Sequence, residues 1–468
     1  MKTIYSNFAL LLFFAFTLTS YAQNGQTLSI DEGGDYPILR NDANHPCITP
    51  EQYKIIEKQC VANIKLLGLE NVGHKGTNTT SFIWPLKTAN GLNDCSYYYI
   101  GNYLDQDSTS PGIKDWNCGL VTYDGHQGTD ICTYPYPFYK MDNNQVEIIA
   151  AASGTIINRV DGNYDKNCDW SNGNANYITI QHADGSVAMY WHMKMNSLTT
   201  RQIGQTVVAG EYLGIVGSSG ASSAPHLHFE VLSGITINTL NDAYSGPCNT
   251  LNANSWWAVQ KPYTEPAIIE ASVHPMLAVL PPCPATETPN EDSCFAAGSS
   301  AKFYTFYRNE TAGMVDSMRI ANPDGTTFTS WTHTSNVSHL CSYWISTKTL
   351  PTVAGTYNFE AKYNGMMCSK SFTIECGTAG ISENKSGSAI YAYPNPLYSS
   401  TTLWSDKTFK NAILTIYNSF GQQVKQIKNI SGQTVTFHRE YLPSGLYFLH
   451  LIEGDEIYTT YKLLITNN

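Results

Sequence analysis

The sequence predicts a mostly β protein that is built from several domains. Charged residues make up 14% of the 468 residues, aromatic residues make up 12%, and there are 35 glycines. Short apolar runs alternate with polar residues and are separated by turns rich in glycine, asparagine and aspartate, which is typical of strands. A chain of 468 residues corresponds to about three domains. We therefore expect an antiparallel β-sheet core followed by two smaller β-sandwiches.

The first 22 residues have the features of a cleaved signal peptide. Lys2 lies in a short polar start, an apolar stretch runs from Phe8 to Leu18, and Ser20-Tyr21-Ala22 precedes Gln23. This stretch is too short for a convincing membrane span, and no later segment reaches the roughly 18 to 20 apolar residues that a transmembrane helix needs. We expect an exported, soluble protein without a transmembrane segment.

Residues 23–79 form an N-terminal extension ahead of the first domain. A short helix is predicted over Thr49 to Lys58, and because Cys47 and Cys60 flank it, a local disulfide bridge is plausible. The extension could pack permanently on the domain, which the bridge would favour, or lie across the groove as a pro-segment. If it is inhibitory, deletion of Gln23 to Thr79 should raise activity sharply.

Two motifs that lie far apart in the chain carry residues suited to a catalytic metal. The first is His126-Gln127-Gly128-Thr129-Asp130 and the second is His226-Leu227-His228. Zinc binds imidazole nitrogen and carboxylate oxygen, and a catalytic site supplies three protein ligands and leaves a fourth position for water. In a strand, residues two apart share a face, so His226 and His228 should project together while Leu227 and Phe229 face the core.

The segment between these motifs is predicted to be a series of strands. Residues 176–192 contain two β-rich runs joined at Asp184-Gly185, which predicts a hairpin that delivers His192 to the site. Glycine-punctuated strands follow at 204–210 and 213–220.

The order of these motifs, His-x-x-x-Asp, Tyr-x-His, Gly-x-x-Gly and His-x-His, resembles the lysostaphin/LytM family of zinc metallopeptidases over roughly residues 80 to 235. The resemblance implies an antiparallel β-sheet peptidase domain, which we place at 80–265. It also implies one Zn²⁺ held by three ligands and two further histidines that act on water and the transition state. The implied ligands are His126, Asp130 and His228, and the implied catalytic residues are His192 and His226. The segment from Ile131 to Val146 is longer than is usual in the family.

The implied chemistry is hydrolysis by zinc-activated water. Zinc polarises a scissile carbonyl and lowers the pKa of bound water from 15.7 toward about 7. The chain has no His-Glu-x-x-His motif that would supply a glutamate base, so the proton transfers fall to His192 and His226, in roles that the sequence leaves open. His182 is expected to be a groove-wall or structural residue, and Tyr123 is expected to have a packing role.

The chain contains twelve cysteines, an even number that suits a disulfide framework in an exported protein. The absence of Cys-x-x-Cys disfavours a redox enzyme or a zinc ribbon. The pairing stays open. Candidates based on proximity in sequence are Cys95 with Cys118, Cys132 with Cys168, and Cys341 with Cys368 or Cys376.

A second domain is predicted at 290–376. Residues 262–289 are loop-like, with Pro281-Pro282 and Pro284, and alternating runs such as 302–307 and 355–363 follow between turn signals. Their spacing predicts a small β-sandwich, which resembles immunoglobulin-like accessory modules. Such a module could bind a wall polymer or surface glycan, although a spacer role is the simpler expectation.

The last part of the chain is set apart by a linker at 377–390 that is rich in Gly, Ser, Asn and Lys. Residues 391–468, with Tyr391-Ala392-Tyr393-Pro394-Asn395-Pro396 and the strand-like runs 412–417 and 442–451, resemble the C-terminal sorting domain of type IX secretion cargo. The resemblance implies a small β-sandwich that is recognised by the type IX secretion machinery, a Gram-negative source of the Bacteroidetes type, delivery to the surface or medium, and cleavage of the tail.

We therefore predict a secreted zinc metalloendopeptidase that cleaves peptide cross-links in peptidoglycan, or alternatively glycine-rich extracellular proteins. The competing hypotheses are a non-catalytic activator and a surface protein whose β-modules bind wall polymer. The net charge of −11 argues against nucleic acid or an anionic membrane as a partner.

Overall fold

The computed structural model describes residues 26–27, 33–36, 47–70, 80–89, 91–170, 173–280, 286–375, 390–454 and 456–466. The signal peptide predicted at 1–22 and the linker predicted at 377–390 lie outside these residues, apart from residue 390. The described part of the chain is mostly β, as the sequence predicts. None of its helices is both long and apolar enough to cross a membrane.

The N-terminal extension contributes two short strands and one long helix, which are β1 Gln26–Thr27, β2 Gly33–Asp35 and α1 Pro50–Leu67. The helix begins at a capping box, in which the Thr49 hydroxyl accepts from the Gln52 backbone and the Gln52 side chain accepts from the Thr49 backbone. It ends at Gly68, whose φ of 67° is a left-handed conformation that glycine adopts readily. The predicted short helix is therefore confirmed and extends further along the chain.

The predicted peptidase region, residues 80–265, contains an eight-stranded antiparallel sheet beside a three-stranded sheet. Its strands are β3 Leu86–Thr88, β4 Tyr98–Asn102, β5 Thr129–Thr133, β6 Val146–Ile149, β7 Gly154–Val160, β8 Tyr177–Gln181, β9 Val187–Trp191, β10 Thr206–Val207, β11 Tyr212–Ile215, β12 His226–Leu232 and β13 Leu240–Asn241. The large sheet has the order β10-β7-β8-β9-β12-β5-β4, with β13 on β12, and the small sheet has the order β11-β6-β3. The hairpin predicted over 176–192 is the β8–β9 pair.

Helix α1 packs on one face of the large sheet. Alternate residues of β8 and β9 explain this arrangement: Ile178 and Tyr190 point into the main core, whereas Tyr177 and Trp191 point toward the helix. The helix buries a stripe of residues at helical spacing against this second face. The stripe consists of Tyr53, Ile56, Cys60 and Ile64. The extension is therefore part of the folded domain.

The long segment after the first motif packs against the second domain. It carries a short helix, α2 Pro137–Asp142. Tyr134 is fully buried beside Phe306, and its hydroxyl donates to the Ser342 carbonyl over 2.6 Å. This segment thus forms an interface between the predicted peptidase region and the neighbouring sandwich.

That neighbouring region is a two-layer β-sandwich. Its strands are β14 Ala267–His274, β15 Val279–Leu280, β16 Cys294–Phe295, β17 Ser300–Glu310, β18 Val315–Ala321, β19 Thr327–Thr334, β20 His339–Thr349, β21 Gly355–Tyr363 and β22 Met366–Ile374. One sheet has the order β14-β17-β20-β2 and the other β16-β22-β21-β18-β19, and side chains from both form one apolar core. The short β15 pairs with β1 outside these sheets. The prediction of a loop over 262–289 is wrong at Ala267–His274, because these residues form strand β14 and all eight of them are buried.

The disulfides join residues that are far apart in sequence. Cys95 bonds Cys368 and Cys118 bonds Cys248, with sequence separations of 273 and 130 residues. Pairing by sequence proximity is therefore wrong for Cys95 with Cys118 and for Cys341 with Cys368, because the fold brings segments that are distant in sequence together. Cys132 with Cys168 is also wrong, since Cys132 carries a thiol. Cys376 lies outside the described residues.

The local bridge between Cys47 and Cys60 is wrong as well, because both residues carry thiols. Cys60 lies about ten residues into α1, so the helical rise places it roughly 15 Å from the start of the helix. A disulfide requires a Cα separation of about 6 Å.

The C-terminal region forms a separate compact unit from Gly377 onward. Its strands are β23 Ile390–Tyr393, β24 Ser400–Asn418, β25 Gln423–His438, β26 Gly445–Glu453 and β27 Glu456–Ile465. The long β24 shifts register between Trp404 and Phe409, so its first half pairs with β23 and its second half with β26. Both halves contribute to one core, in which Leu403 and Leu414 are buried, as expected for a small sandwich.

Candidate metal centre

The two sequence motifs meet on adjacent strands. In the β12–β5 pairing His228 lies opposite Asp130, so the two side chains share a face. His126 reaches the same point from the turn before β5. Leu227 and Phe229 lie in the main core, as period-two alternation predicts. The geometry of β12 therefore sets which histidines face the centre.

Gly128 permits the close approach of these elements. A Cβ atom at this position would lie 2.8 Å from His228 Nε2 and 2.8 Å from the Phe229 carbonyl oxygen. Both distances are too short for any side chain, so the turn between His126 and Asp130 requires glycine here.

Three potential ligand atoms form a compact triangle. His126 Nε2 lies 3.2 Å from Asp130 Oδ1 and 3.1 Å from His228 Nδ1, and His228 Nδ1 lies 2.8 Å from Asp130 Oδ1. Ligand atoms at about 2.0–2.1 Å from a tetrahedral zinc would lie about 3.3 Å apart. The donor set and its spacing therefore fit a metal ion with little rearrangement.

Each of these side chains is fixed by a second partner. His126 Nδ1 lies 2.6 Å from the Tyr103 carbonyl oxygen, and His228 Nε2 lies 2.8 Å from Glu230 Oε1. Asn102 Nδ2 donates to Asp130 Oδ2 over 2.9 Å. Partners of this kind orient metal-binding histidines and set the nitrogen that faces the metal. Here they leave His126 Nε2 and His228 Nδ1 facing each other.

Glu230 extends this support to the N-terminal helix, because its carboxylate also accepts a hydrogen bond from the Tyr53 hydroxyl of α1. Glu230 was missed in the sequence analysis. Period-two alternation in His226, His228 and Glu230 would have placed it on the same face.

His192 and His226 lie beside the triangle, with ring centroids 4.4 Å apart. His192 Nδ1 lies 2.6 Å from the Ser219 carbonyl oxygen and His226 Nδ1 lies 2.7 Å from the Ala224 carbonyl oxygen. Among the described residues nothing hydrogen-bonds the Nε2 atom of either ring, and His226 Nε2 lies 3.5 Å from Asp130 Oδ1.

His192 adopts a φ of 65°, which is unusual for a residue with a side chain. Such backbone strain clusters at functional sites, where the surrounding structure enforces it. The five residues predicted from the sequence are thus brought together in one cluster.

A sixth side chain completes the cluster. The Cys47 sulphur lies within 4.8 Å of ligand atoms of His126, Asp130 and His228, and the same sulphur forms a second group with His192 and His226. It also lies 2.9 Å from the Tyr123 hydroxyl. Cys47 was assigned to a disulfide in the sequence analysis. No local pattern identifies it, because the packing of α1 on the sheet determines its position.

The charges in the centre are strongly coupled. Burial disfavours protonation of His126, but the Asp130 carboxylate outweighs this effect and raises the pKa of His126 to about 9. Burial likewise opposes ionisation of Asp130, yet His126 and His226 hold its pKa well below the usual range. Burial and the neighbouring His226 lower the pKa of His192.

The pKa of the Cys47 thiol is also shifted. Burial and Asp130 act to raise it, but interactions with three nearby histidines lower it well below its ordinary value. These residues are His126, His192 and His226.

Two further residues named in the sequence analysis lie nearby. His182 is buried against Phe82, with its Nδ1 2.9 Å from the Ser153 carbonyl oxygen, in a structural setting. Tyr123 packs its ring 4.5 Å from the His126 ring, and its hydroxyl faces Cys47, so it lies at the centre itself as well as in the packing around it.

Comparison with known proteins agrees with this geometry. The sequence profile of Peptidase family M23 matches residues 125–239, a range that contains all five predicted site residues. The profile of the Secretion system C-terminal sorting domain matches residues 391–466. The chain contains an M23 peptidase domain and a type IX sorting domain. The sorting domain indicates export to the cell surface or medium.

Two similar proteins each match about a fifth of this chain. The DD-carboxypeptidase/endopeptidase Mpg of Neisseria meningitidis serogroup B is 36% identical over 90 residues, which is 19% of this chain and 20% of that protein. The glycyl-glycine endopeptidase ALE-1 of Staphylococcus capitis is 33% identical over 91 residues, which is 19% of this chain and 25% of that protein. The chain thus covers a quarter or less of the length of these relatives.

Among solved structures, the catalytic domain of lysostaphin from Staphylococcus simulans has 26% sequence identity. The match covers 31% of this chain and 85% of that domain, with a TM-score of 0.20.

Proposed function

We propose that residues 80–265 form a zinc-dependent metalloendopeptidase that cleaves peptide cross-links in peptidoglycan outside the producing cell. The observation that carries this proposal is the triangle of His126, Asp130 and His228 with His192 and His226 beside it. Three nitrogen and oxygen ligands, beside two histidines whose Nε2 atoms have no hydrogen-bond partner among the described residues, form a donor set typical of catalytic zinc.

The ligands proposed for zinc are His126 through Nε2, Asp130 through Oδ1 and His228 through Nδ1. When bound, zinc supplies Lewis-acid activation of water and of the scissile carbonyl. Glu230 holds the His228 ring so that Nδ1 faces the centre, and the Tyr103 carbonyl does the same for His126 Nε2. The protein thus fixes the tautomer of each imidazole ligand before the metal binds.

His192 and His226 are proposed to carry the proton transfers. Their Nδ1 atoms are held by backbone carbonyls, so in the neutral rings Nε2 is left to accept a proton. A protonated Nε2 in the same position can donate to a developing oxyanion or to the leaving amine. The rings lie side by side, so one can act as base while the other donates.

The remaining parts of the chain are proposed to serve delivery. Residues 1–22 act as the signal peptide, 377–390 as the linker, and 391–468 as the domain read by the type IX machinery. We propose that the sandwich at 290–376 is a rigid spacer, because the segment around Tyr134 packs against it.

The test is release of new amino groups from purified cross-linked peptidoglycan by the full chain loaded with zinc. Because Cys47 lies among the ligands, the assay includes Cys47→Ala beside the wild-type protein. His126→Ala and chelation should abolish release, whereas His438→Ala, which changes an exposed histidine of the tail, should leave it unchanged. No release by either wild-type protein or Cys47→Ala would contradict the proposal.

A second substrate is favoured by one relative. The similarity to a glycyl-glycine endopeptidase makes glycine-rich extracellular peptides an alternative target for the same site. Cleavage of a pentaglycine peptide, without cleavage of wall cross-links that lack glycine, would support this alternative.

A further inference from the structure

Cys47 adds a fourth potential ligand atom to the three described above. Its sulphur is within 4.8 Å of the ligand atoms of His126, Asp130 and His228. A catalytic zinc leaves a fourth tetrahedral position for water, and thiolate sulphur binds zinc readily at about 2.3 Å. Small adjustments of these side chains would bring all four donors to bonding distance.

The same sulphur also faces the two histidines proposed to act on the substrate. His192 and His226 form a second group with Cys47 within 4.8 Å, and their Nε2 atoms have no hydrogen-bond partner among the described residues. The thiol is therefore close both to the three proposed ligands and to the two histidines proposed to be catalytic. Water and a scissile carbonyl would have to occupy this space.

We propose that Cys47 is the fourth ligand of the bound zinc and that the N-terminal extension thereby keeps the peptidase latent. This inference rests on the function proposed above for the same site. A centre closed by four protein ligands has no position left for water. Activity then requires the thiol to leave.

Burial supports a closed state. Each of the six residues of the centre is at most 7% exposed. Ile48, next to Cys47, is also buried. A cross-linked polymer cannot reach residues that are enclosed in this way, so the Cys47 segment must move before any substrate can bind.

The extension is anchored so that only a small part needs to move. Helix α1 packs its apolar stripe on the sheet, Tyr53 donates to Glu230, and Asn63 donates to the Ile157 carbonyl over 2.8 Å. Cys47 lies just before the helix cap at Thr49, outside the helix itself. Opening is therefore a displacement of the segment at Cys47 while α1 remains in place.

This arrangement changes how latency should be tested. Deletion of 23–79 would remove α1 and expose Tyr177 and Trp191, which the helix covers. Loss of activity after that deletion would reflect damage to the fold. A substitution at Cys47 alone removes the ligand and keeps the helix.

The experiment is X-ray absorption at the zinc edge of the full chain, combined with the amino-group assay on peptidoglycan. The wild-type protein should show one sulphur neighbour at about 2.3 Å, and Cys47→Ala should show only nitrogen and oxygen neighbours at about 2.0–2.1 Å. Cys60→Ala removes the thiol that lies within α1, and zinc in this variant should retain its sulphur neighbour. Cys47→Ala should cleave at least about tenfold faster than the wild-type protein. Cys47→Ser serves as a second variant if Cys47→Ala does not fold.

Each outcome decides part of the proposal. Absence of sulphur at the zinc of the wild-type protein would overturn ligation by Cys47. Sulphur in the wild-type protein together with equal cleavage by both proteins would overturn latency. A third outcome is a sulphur neighbour in the wild-type protein that is lost in Cys47→Ala, with no cleavage by either protein. It would support Cys47 as a zinc ligand but refute the proposed peptidase. The centre would then be a structural zinc site.

Discussion

Cys47 and Cys60 are buried thiols of the same N-terminal extension, yet their surroundings are opposite. Cys47 lies ahead of α1 and is close to four histidines and Asp130. Cys60 lies on the buried stripe of α1 among apolar side chains, where burial raises the pKa of its thiol to about 12. The difference shows that burial alone does not set the role of a cysteine. Neighbouring polar groups make the first a candidate ligand, and apolar packing makes the second part of the core.

The largest effect should come from removing Asp130, a proposed zinc ligand that lies close to Cys47. In the Cys47→Ala background, Asp130→Ala should reduce cleavage of peptidoglycan about a thousandfold or more, because metal activation contributes several kcal/mol to catalysis. Initial rates of amino-group release measure this change. Cys60→Ala in the same background should keep the activity, and an equal loss there would remove the contrast between the two thiols.

A smaller effect is expected from the residue that links the centre to α1. Glu230→Gln should weaken zinc binding by about 10–100-fold, because the carboxylate that hydrogen-bonds and orients the His228 ring would lose its charge. Competition with a chromogenic chelator measures the affinity. Glu211→Gln is the matched control, since Glu211 pairs with Arg201 on the surface of the same domain. Unchanged affinity in Glu230→Gln would show that the backbone alone orients His228.

Metal removal should separate the two thiols by their reactivity. If zinc holds Cys47, chelation should increase its alkylation by iodoacetamide at least about tenfold, whereas Cys60 should stay unreactive because little of it is thiolate at neutral pH. Mass spectrometry of peptides that contain each cysteine gives both rates in one experiment. Equal labelling of Cys47 with and without zinc would argue against coordination.

The smallest effect concerns pH and stability. The folded-state pKa of Cys60 is raised from 9.0 to about 12, so its contribution to stability is fully present below pH 9 and is lost as pH rises through this window. The free energy of unfolding should fall by roughly 1 kcal/mol more in the wild-type protein than in Cys60→Ala between pH 8 and pH 10. Denaturant titrations at the two pH values test this. Parallel losses in both proteins would show that Cys60 does not ionise on unfolding.

Local spacing explains how much of the centre the sequence predicts. His126 and Asp130 share one turn, and His226 and His228 share one face of a strand, so their placement depends on neighbours in sequence. The strand alternation and the hairpin before His192 follow from the same short-range rules. The mostly β fold was predicted on similar grounds, whereas the sorting domain was predicted from its resemblance to the tails of type IX secretion cargo.

The parts that were missed depend on long-range packing. Cys47 enters the centre because α1 docks on the far side of β8 and β9, and nothing in the residues around Cys47 encodes that contact. The same reason applies to the two disulfides, whose partners are 273 and 130 residues apart in sequence and meet only in the finished fold. The strand at 267–274 was predicted as loop because nearby prolines outweighed a buried run that has no polar alternation.

The bond between Cys95 and Cys368 closes a covalent ring that contains most of the peptidase region and the sandwich. A single proteolytic cut anywhere inside this ring leaves one connected molecule, so nicking during maturation would be visible only after reduction. The sorting domain lies outside the ring, and a cut in the linker would release it. Loss of the tail would therefore leave the sandwich joined to the M23 domain by the disulfide as well as by the main chain.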